Sequence, residues 1–283
     1  MKVIRHILLA VTATCITMYS CSASEAPAAP EKEKEEEEKG PEPKPEPEPE
    51  PTKTVKVGIL GDSISTFKGW LTTEDYNPFY PDYDPNVGSD AAKAVDSVEK
   101  TWWHRLIYVY MKDAVLDVNS SWQGTRVVHE EQKGVVSKEL QPAGFIDRCL
   151  DFKEPDVIFI HGGTNDKTQQ TPLDEYTAAY KEIINKMQAK YSGVTVILII
   201  GDRLNAPYAS PILDIAKEYG LRTVDFRGDD IEKCKGSHPT APAFDFMAKK
   251  IAMECADIIP TVFEVHKTSG STEQTSKDNE QQF

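Results

Sequence analysis

Five short runs of branched aliphatic residues, separated or followed by helical patterns, constrain this chain more than any other feature of it. The runs are VKVGIL, AVLDVN, DVIFIHG, VTVILII and LRTVDF, starting at Val55, Ala114, Asp156, Val194 and Leu221. Several are apolar throughout, the pattern of parallel strands covered on both faces. In TPLDEYTAAYKEIINKMQAKY the residues Leu173, Tyr176, Tyr180, Ile183, Ile184, Met187 and Tyr191 recur at intervals of three and four, with Pro172 at a first-turn position. A second helical face, Phe244, Met247, Ile251, Cys255 and Ile258, lies in APAFDFMAKKIAMECADII. Shorter candidates are TWWHRLIYVYM and SPILDIAKEYG, the latter closed by Gly220. This alternation predicts an α/β fold with a doubly wound, five-stranded parallel sheet and helices on both faces. In such folds ligands sit beyond the carboxyl ends of the strands.

Polar groups stand at those ends. Gly61-Asp62-Ser63 follows the first run, Asn119-Ser120-Ser121-Trp122-Gln123-Gly124 the second, and Gly162-Gly163-Thr164-Asn165-Asp166 the third. Ser237-His238-Pro239 follows the fifth, in a loop before the last helix. Read as chemistry, they supply a hydroxyl, an imidazole able to take its proton, and separated donors for a developing oxyanion, the parts of acyl transfer. Each has an ordinary alternative as well. Ser63 can be a turn or capping serine, Asn165 an Asx turn and Gly124 a plain turn glycine. A Gly-x-Ser-x-Gly elbow is absent because Ser65 stands where its second glycine belongs, and no Walker pattern follows the first run.

Taken jointly, Gly61-Asp62-Ser63, Asn119-x-x-x-x-Gly124, Gly163-x-Asn165-Asp166 and His238-Pro239 come in the order found in the SGNH, or GDSL-type, hydrolases, which this chain resembles from Val55 to about Ile258. The resemblance implies a flavodoxin-like sheet and cleavage of esters, often acetyl or longer acyl groups on sugars or lipids. It implies Ser63 as nucleophile and His238 as general base and later acid. The Ser63 N–H, the Gly124 N–H and the Asn165 amide would form the oxyanion hole. A neutral imidazole with a pKa of about 6.5 suits that exchange at neutral pH. The family places an aspartate three residues before the histidine, where this chain has Lys235. The orienting acid is therefore open among Asp229, Asp230 and Glu232, with a main-chain carbonyl and a Ser-His dyad as the further option. Two functions follow. One is a serine esterase acting on acetyl or short-chain esters of carbohydrate or another extracellular substrate. The other, motivated by Lys235, is a catalytically degenerate glycan-binding lipoprotein.

The segment KGWLTTEDYNPFYPDYDPNVGSDAA, between Ser63 and the first helix, is long for a strand-to-helix connection. Its aromatic residues make it a candidate substrate cover, with Trp70 and Tyr80 as sugar-facing rings, or else a self-packed loop. Asp82, Asp84, Asn86 and Asp90 alternate like calcium ligands, but the glycine falls one place late and Lys93 stands where a closing Glu belongs. No metal or cofactor is assigned. His161 reads as a hydrogen-bonded strand-end histidine, and His104, with Trp102 and Trp103, as part of a helix. Cys149, Cys234 and Cys255 fit no zinc spacing and read as idle thiols.

The chain ends differ in kind from this core of about 210 residues. Met1 to Cys21 has Lys2 and Arg5 ahead of a short apolar run, as a secretory signal does. Met18-Tyr19-Ser20-Cys21 resembles a bacterial lipoprotein cleavage box, which implies Cys21 as a lipid-bearing N-terminus. Residues 22–53 read as an acidic spacer rich in Pro and Glu, with too few apolar side chains to order themselves. Ten Glu and four Lys in residues 31–50 account for −6 of the formal net charge of −14. The domain at 54–263 is thus only mildly acidic, without the basic patch a nucleic-acid partner would need. Residues 264–283 read as a polar, disordered tail. The expected protein is exported and held to a membrane, at the periplasm or cell surface, by its N-terminal lipid; its oligomeric state is open.

Overall fold

Strands apolar on both sides need helices on both sides, and the chain supplies them in two sets. The computed structural model describes residues 53–73, 75–81, 92–134 and 136–263. Cys21, the signal, most of the spacer, the tail and Asp82, Asp84, Asn86 and Asp90 lie outside them. In chain order the elements are β1 (Val55–Gly61), α1 (Trp102–Arg105, continued by a π-helical turn over Leu106–Tyr110), β2 (Ala114–Ser121), β3 (Glu131–Lys133) and β4 (Leu140–Pro142). Then come α2 (Phe145–Arg148), β5 (Val157–His161), α3 (Thr164–Gln169), α4 (Leu173–Lys190), β6 (Thr195–Ile200) and α5 (Ala209–Tyr219). The chain continues through β7 (Arg222–Asp225), β8 (Lys233–Lys235), β9 (His238–Pro239) and α6 (Ala241–Glu254).

The five aliphatic runs form one parallel sheet in the order β2-β1-β5-β6-β7. Numbered among themselves the strands run 2-1-3-4-5, the flavodoxin-like order, with its switch point between β1 and β5. Val57 pairs with Val157 and Gly61 with His161, so both central strands end at one level. Side chains alternate across the sheet. Val57, Ile59, Phe159, Ile197 and Ile199 pack with Trp102, Trp103, Phe244, Met247 and Ile251 of α1 and α6. Leu60, Ile158, Ile160, Leu198 and Ile200 pack with Phe145, Tyr180, Ile183, Ile184, Met187, Ile212 and Ile215 of α2, α4 and α5. Each fully buried aliphatic or aromatic side chain contributes about 1.5–3 kcal/mol of transfer free energy.

The expected helices form, with small changes at their ends. Pro172 is the N-cap of α4, one place before the first turn, and Gly220 ends α5 in the left-handed region at φ 66°. Thr240 caps α6 by accepting the Ala243 N–H. The π-helical turn after Arg105 was not foreseen, nor were the antiparallel pairs β3/β4 and β8/β9. Strands of two or three residues carry too few side chains to show a period. One correction bears on the site: His238 lies in the β8/β9 hairpin, turned at Gly236 with φ 58°, and not in a plain loop.

Gly61 joins the sheet to the turn that follows. A Cβ there would lie 2.5 Å from Ser65 Oγ and 2.9 Å from Ser121 Oγ. Gly61→Ala should therefore destabilise the protein by about 1–3 kcal/mol, read as a lower urea midpoint with unchanged slope. An unshifted midpoint would mean that the turn does not pack on the end of β1.

Candidate active site

The turn after β1 is fixed by its own residues. Asp62 caps a 3-10 turn over Ser63–Ser65, its carboxylate accepting the Ile64 N–H at 3.0 Å. The Thr66 hydroxyl donates to the Ser63 carbonyl at 2.9 Å. Ser65 Oγ accepts the Trp102 indole N–H at 3.2 Å, tying the turn to α1. Asp62 is buried, and that burial, with help from the Asp166 charge and against that of Arg148, pushes its carboxyl up to about 7.

The loop after β2 folds over the same end. Trp122 N–H donates to the Gly61 carbonyl at 3.1 Å, and the Thr125 hydroxyl to the Trp122 carbonyl at 2.8 Å. Gly124 sits between them at φ 76°, a conformation that costs glycine little. Two residues of α3 hold the loop. Asn165 Nδ2 donates to the Thr125 carbonyl at 2.9 Å, and the Asp166 carboxylate accepts the Val127 N–H at 3.0 and 3.2 Å. The Asn165 amide keeps a second N–H. Among the described residues no hydrogen bond uses the main-chain N–H of Ser63 or Gly124. Burial pushes the Asp166 carboxyl up to about 6.

Beneath both loops lies Arg148, the last residue of α2 and almost fully buried. Its guanidinium donates to the carbonyls of Ala143 (2.6 Å), Ser120 and Gly61 (3.3 Å), and to Thr125 Oγ1 (3.0 Å). Burial lowers its pKa to about 10, which leaves it charged at neutral pH. Asp151 stands close by and accepts from Tyr76 Oη and Ser120 Oγ, each at 2.7 Å.

The β8/β9 hairpin brings His238 to the Ser63 turn, against which β9 packs. The hairpin is anchored by Lys233, whose Nζ meets the Asp202 carboxylate and the Ile231 carbonyl, both at 2.8 Å. The Phe79 ring stacks on the imidazole with centroids 3.4 Å apart and planes 1° from parallel. Cys234 Sγ donates to the His238 carbonyl at 3.3 Å, so this thiol serves the hairpin. The three candidate acids are engaged elsewhere or pair with none of the described hydrogen-bond donors. Asp229 binds Lys250 at 2.5 Å, and Glu232 binds Lys93 at 2.6 Å and the Thr240 hydroxyl at 3.0 Å. Asp230 lies near enough to Lys233 to support its charge.

The structure thus gathers Ser63, Gly124, Asn165 and His238 at one end of the sheet. It separates the two aromatic residues expected over the substrate. Trp70 is 39% exposed, its ring 5.9 Å from those of Trp103 and His104. Tyr80 is 2% exposed, with its hydroxyl on the Pro239 carbonyl at 3.1 Å. It packs behind His238 instead of facing a sugar, because the segment around it folds inward. Tyr76 likewise stacks on buried Trp122 at 4.6 Å. His161 ends β5 as expected, but its Nδ1 is buried without a hydrogen-bond partner, and burial lowers its pKa to about 4, keeping it neutral. Cys149 and Cys255 are buried free thiols. The sequence reading missed Arg148 as a site residue and took Phe79 only as one of the aromatic residues of the substrate cover, not as a partner of His238. An arginine among the mostly apolar residues of GFIDRCL, next to Asp147, was the available signal for the first.

Comparison with known proteins agrees with the fold. The profile of the family described as GDSL-like Lipase/Acylhydrolase matches residues 55–255. A Bacteroides ovatus protein solved as a GDSL-like lipase is 26% identical, with a TM-score of 0.60 over 73% of this chain and 100% of its own. One from Bacteroides uniformis is 24% identical, with a TM-score of 0.59 over 72% and 97%. A family two carbohydrate esterase from Clostridium thermocellum, solved as an active-site mutant, shares the fold at 14% identity and a TM-score of 0.50, covering 74% of this chain and 65% of its own. Comparison with curated proteins returns no match.

The raised carboxyl of Asp62 sets a pH dependence. The ordinary value is 3.8, so the native state holds a proton that the unfolded chain releases between about pH 4 and 7. Stability from that proton is complete below the window and lost as pH rises through it. Asp62→Asn keeps an acceptor for Ile64 N–H and carries no charge. Its Tm relative to wild type should rise from pH 5 to pH 8; a constant difference would show that Asp62 is not held protonated.

Proposed function

The chain belongs to the GDSL-like lipase/acylhydrolase family, whose members act on esters, and we propose that it is a serine esterase removing acetyl or other short acyl groups from carbohydrate or another extracellular ester. Ser63 attacks the carbonyl carbon while His238 takes the hydroxyl proton. The developing oxyanion is received by the Ser63 and Gly124 N–H groups and the second N–H of Asn165. His238 then protonates the leaving alkoxide, and water, activated by the same imidazole, releases the acyl group from Ser63.

The observation that carries this reading is the packing of β9, with His238, on the turn bearing Ser63, while the loops of Gly124 and Asn165 close on the same place. Support for a carbohydrate alcohol is more general. Trp70 offers a partly open aromatic ring on the segment after Ser63, and the same fold carries a family two carbohydrate esterase. The proposed protein is exported and tethered by lipid at Cys21, with residues 22–53 as the spacer that carries domain 54–263 away from the membrane and 264–283 as a tail.

Release of p-nitrophenol from p-nitrophenyl acetate by the full chain tests the assignment. Ser63→Ala and His238→Ala should abolish turnover, and Asn165→Ala should lower kcat about 100-fold with little change in KM. Wild-type protein that is folded yet neither turns over nor reacts with a fluorophosphonate would remove the hydrolase reading. Saturable glycan binding unaffected by Ser63→Ala would then favour a binding protein.

A further inference from the structure

The imidazole of His238 sits on a two-residue strand at the tip of a hairpin, where χ2 of a histidine has a broad torsional well. Something must hold the ring plane if it is to serve Ser63. The segment Asn77–Tyr80 touches each part of the site. The Asn77 carbonyl accepts the Gln123 N–H at 2.9 Å, next to Gly124. The Phe79 N–H donates to Thr66 Oγ1 at 2.7 Å, and that hydroxyl donates to the Ser63 carbonyl at 2.9 Å. The Phe79 ring lies flat on the imidazole, and the Tyr80 hydroxyl reaches the carbonyl of Pro239.

Full face-to-face overlap is not the arrangement two free aromatic rings prefer; they choose an offset or an edge. At 3.4 Å and 1° the Phe79–His238 pair departs from that preference, so its geometry is set by the backbone bonds on either side. We propose that Phe79 is a positioning residue for the reaction, its main chain registering the Ser63 turn through Thr66 and its ring fixing the plane of the His238 imidazole. A ring face in that place also favours the imidazolium that forms when the Ser63 proton is taken, a charge absent from the ground state. The role holds whatever else the imidazole bonds, since stacking constrains the plane and a hydrogen bond the in-plane direction.

This inference rests on the esterase reading, and the experiment separates the two. In the full chain, Phe79→Leu keeps an apolar side chain of similar bulk but removes the flat face. With p-nitrophenyl acetate its kcat should fall about 10–100-fold, with KM within about threefold, as expected for a misplaced catalytic group. Phe79→Tyr should restore most of the lost rate, a recovery that mere filling of space does not require. Thr66→Val, which cuts the link to Ser63 while preserving shape, should lower kcat about tenfold, and Thr66→Ser should not. A Phe79→Leu enzyme as fast as wild type, or a Phe79→Tyr enzyme no faster than Phe79→Leu, overturns the proposal and leaves the esterase standing. An inactive wild type overturns both. Thermal melts of each variant confirm that rates are compared between folded proteins, and a loss of kcat in proportion to unfolded protein alone would also overturn it.

Discussion

One buried guanidinium holds the carboxyl end of this sheet together. Arg148 donates to the carbonyls of Gly61, Ser120 and Ala143 and to the Thr125 hydroxyl, so β1, β2, the loop before α2 and the Gly124 loop meet on a single planar group. Charge in such a place is costly unless every donor is used and counter-charge is near. Here four hydrogen bonds draw on all three guanidinium nitrogens, and the nearby carboxylates of Asp151 and Asp147 support the positive charge. Removing one partner of a buried charge typically costs about 3–5 kcal/mol, because the rest are left unpaired. The backbone before Ser63 and the backbone after Gly124 are therefore kept at a set separation by a residue with no place in the chemistry.

The proposed reaction then divides between a rigid half and an attached half. Ser63, Gly124 and Asn165 stand on turns pinned to the central strands by Asp62, Thr66, Asp166 and Arg148. His238 stands on a small hairpin whose anchors are the Lys233–Asp202 pair and the cap of α6. Asn77–Tyr80 joins the halves with bonds to both. The absence of an aspartate at position 235 fits this division. The hairpin position that usually orients the imidazole carries Lys235, while an aromatic face from a distant segment meets the ring.

The sheet was legible because its signal is repeated five times. Ile158-Phe159-Ile160 and Val196-Ile197-Leu198-Ile199 are apolar on both faces, and only a covered parallel strand suits such runs in this context. The gathering of Ser63, Gly124, Asn165 and His238 at one end of the sheet was legible because topology sends all strand ends to one side. What failed was local context. Tyr80 and Trp70 look alike in the sequence, as aromatic residues in one polar segment, yet one is buried and the other partly open. Asp229 and Glu232 stood close enough to His238 in the chain to serve it, but Lys250 and Lys93, distant in sequence, hold them.

The sequence by itself determined the architecture and the end of the sheet where the polar groups gather, since the hydrophobic period is carried by residues near one another in the chain and parallel strands all end on one side. It also determined which chemical groups stand at the strand ends. Only the tertiary structure decided what orients them. The contacts of Arg148 with Gly61, of Phe79 with His238 and of Asn165 with Thr125 cross 87, 159 and 40 residues. A contact across that distance leaves no periodic trace in a single sequence, because its geometry is fixed by the packing of the elements between and not by either partner's neighbours.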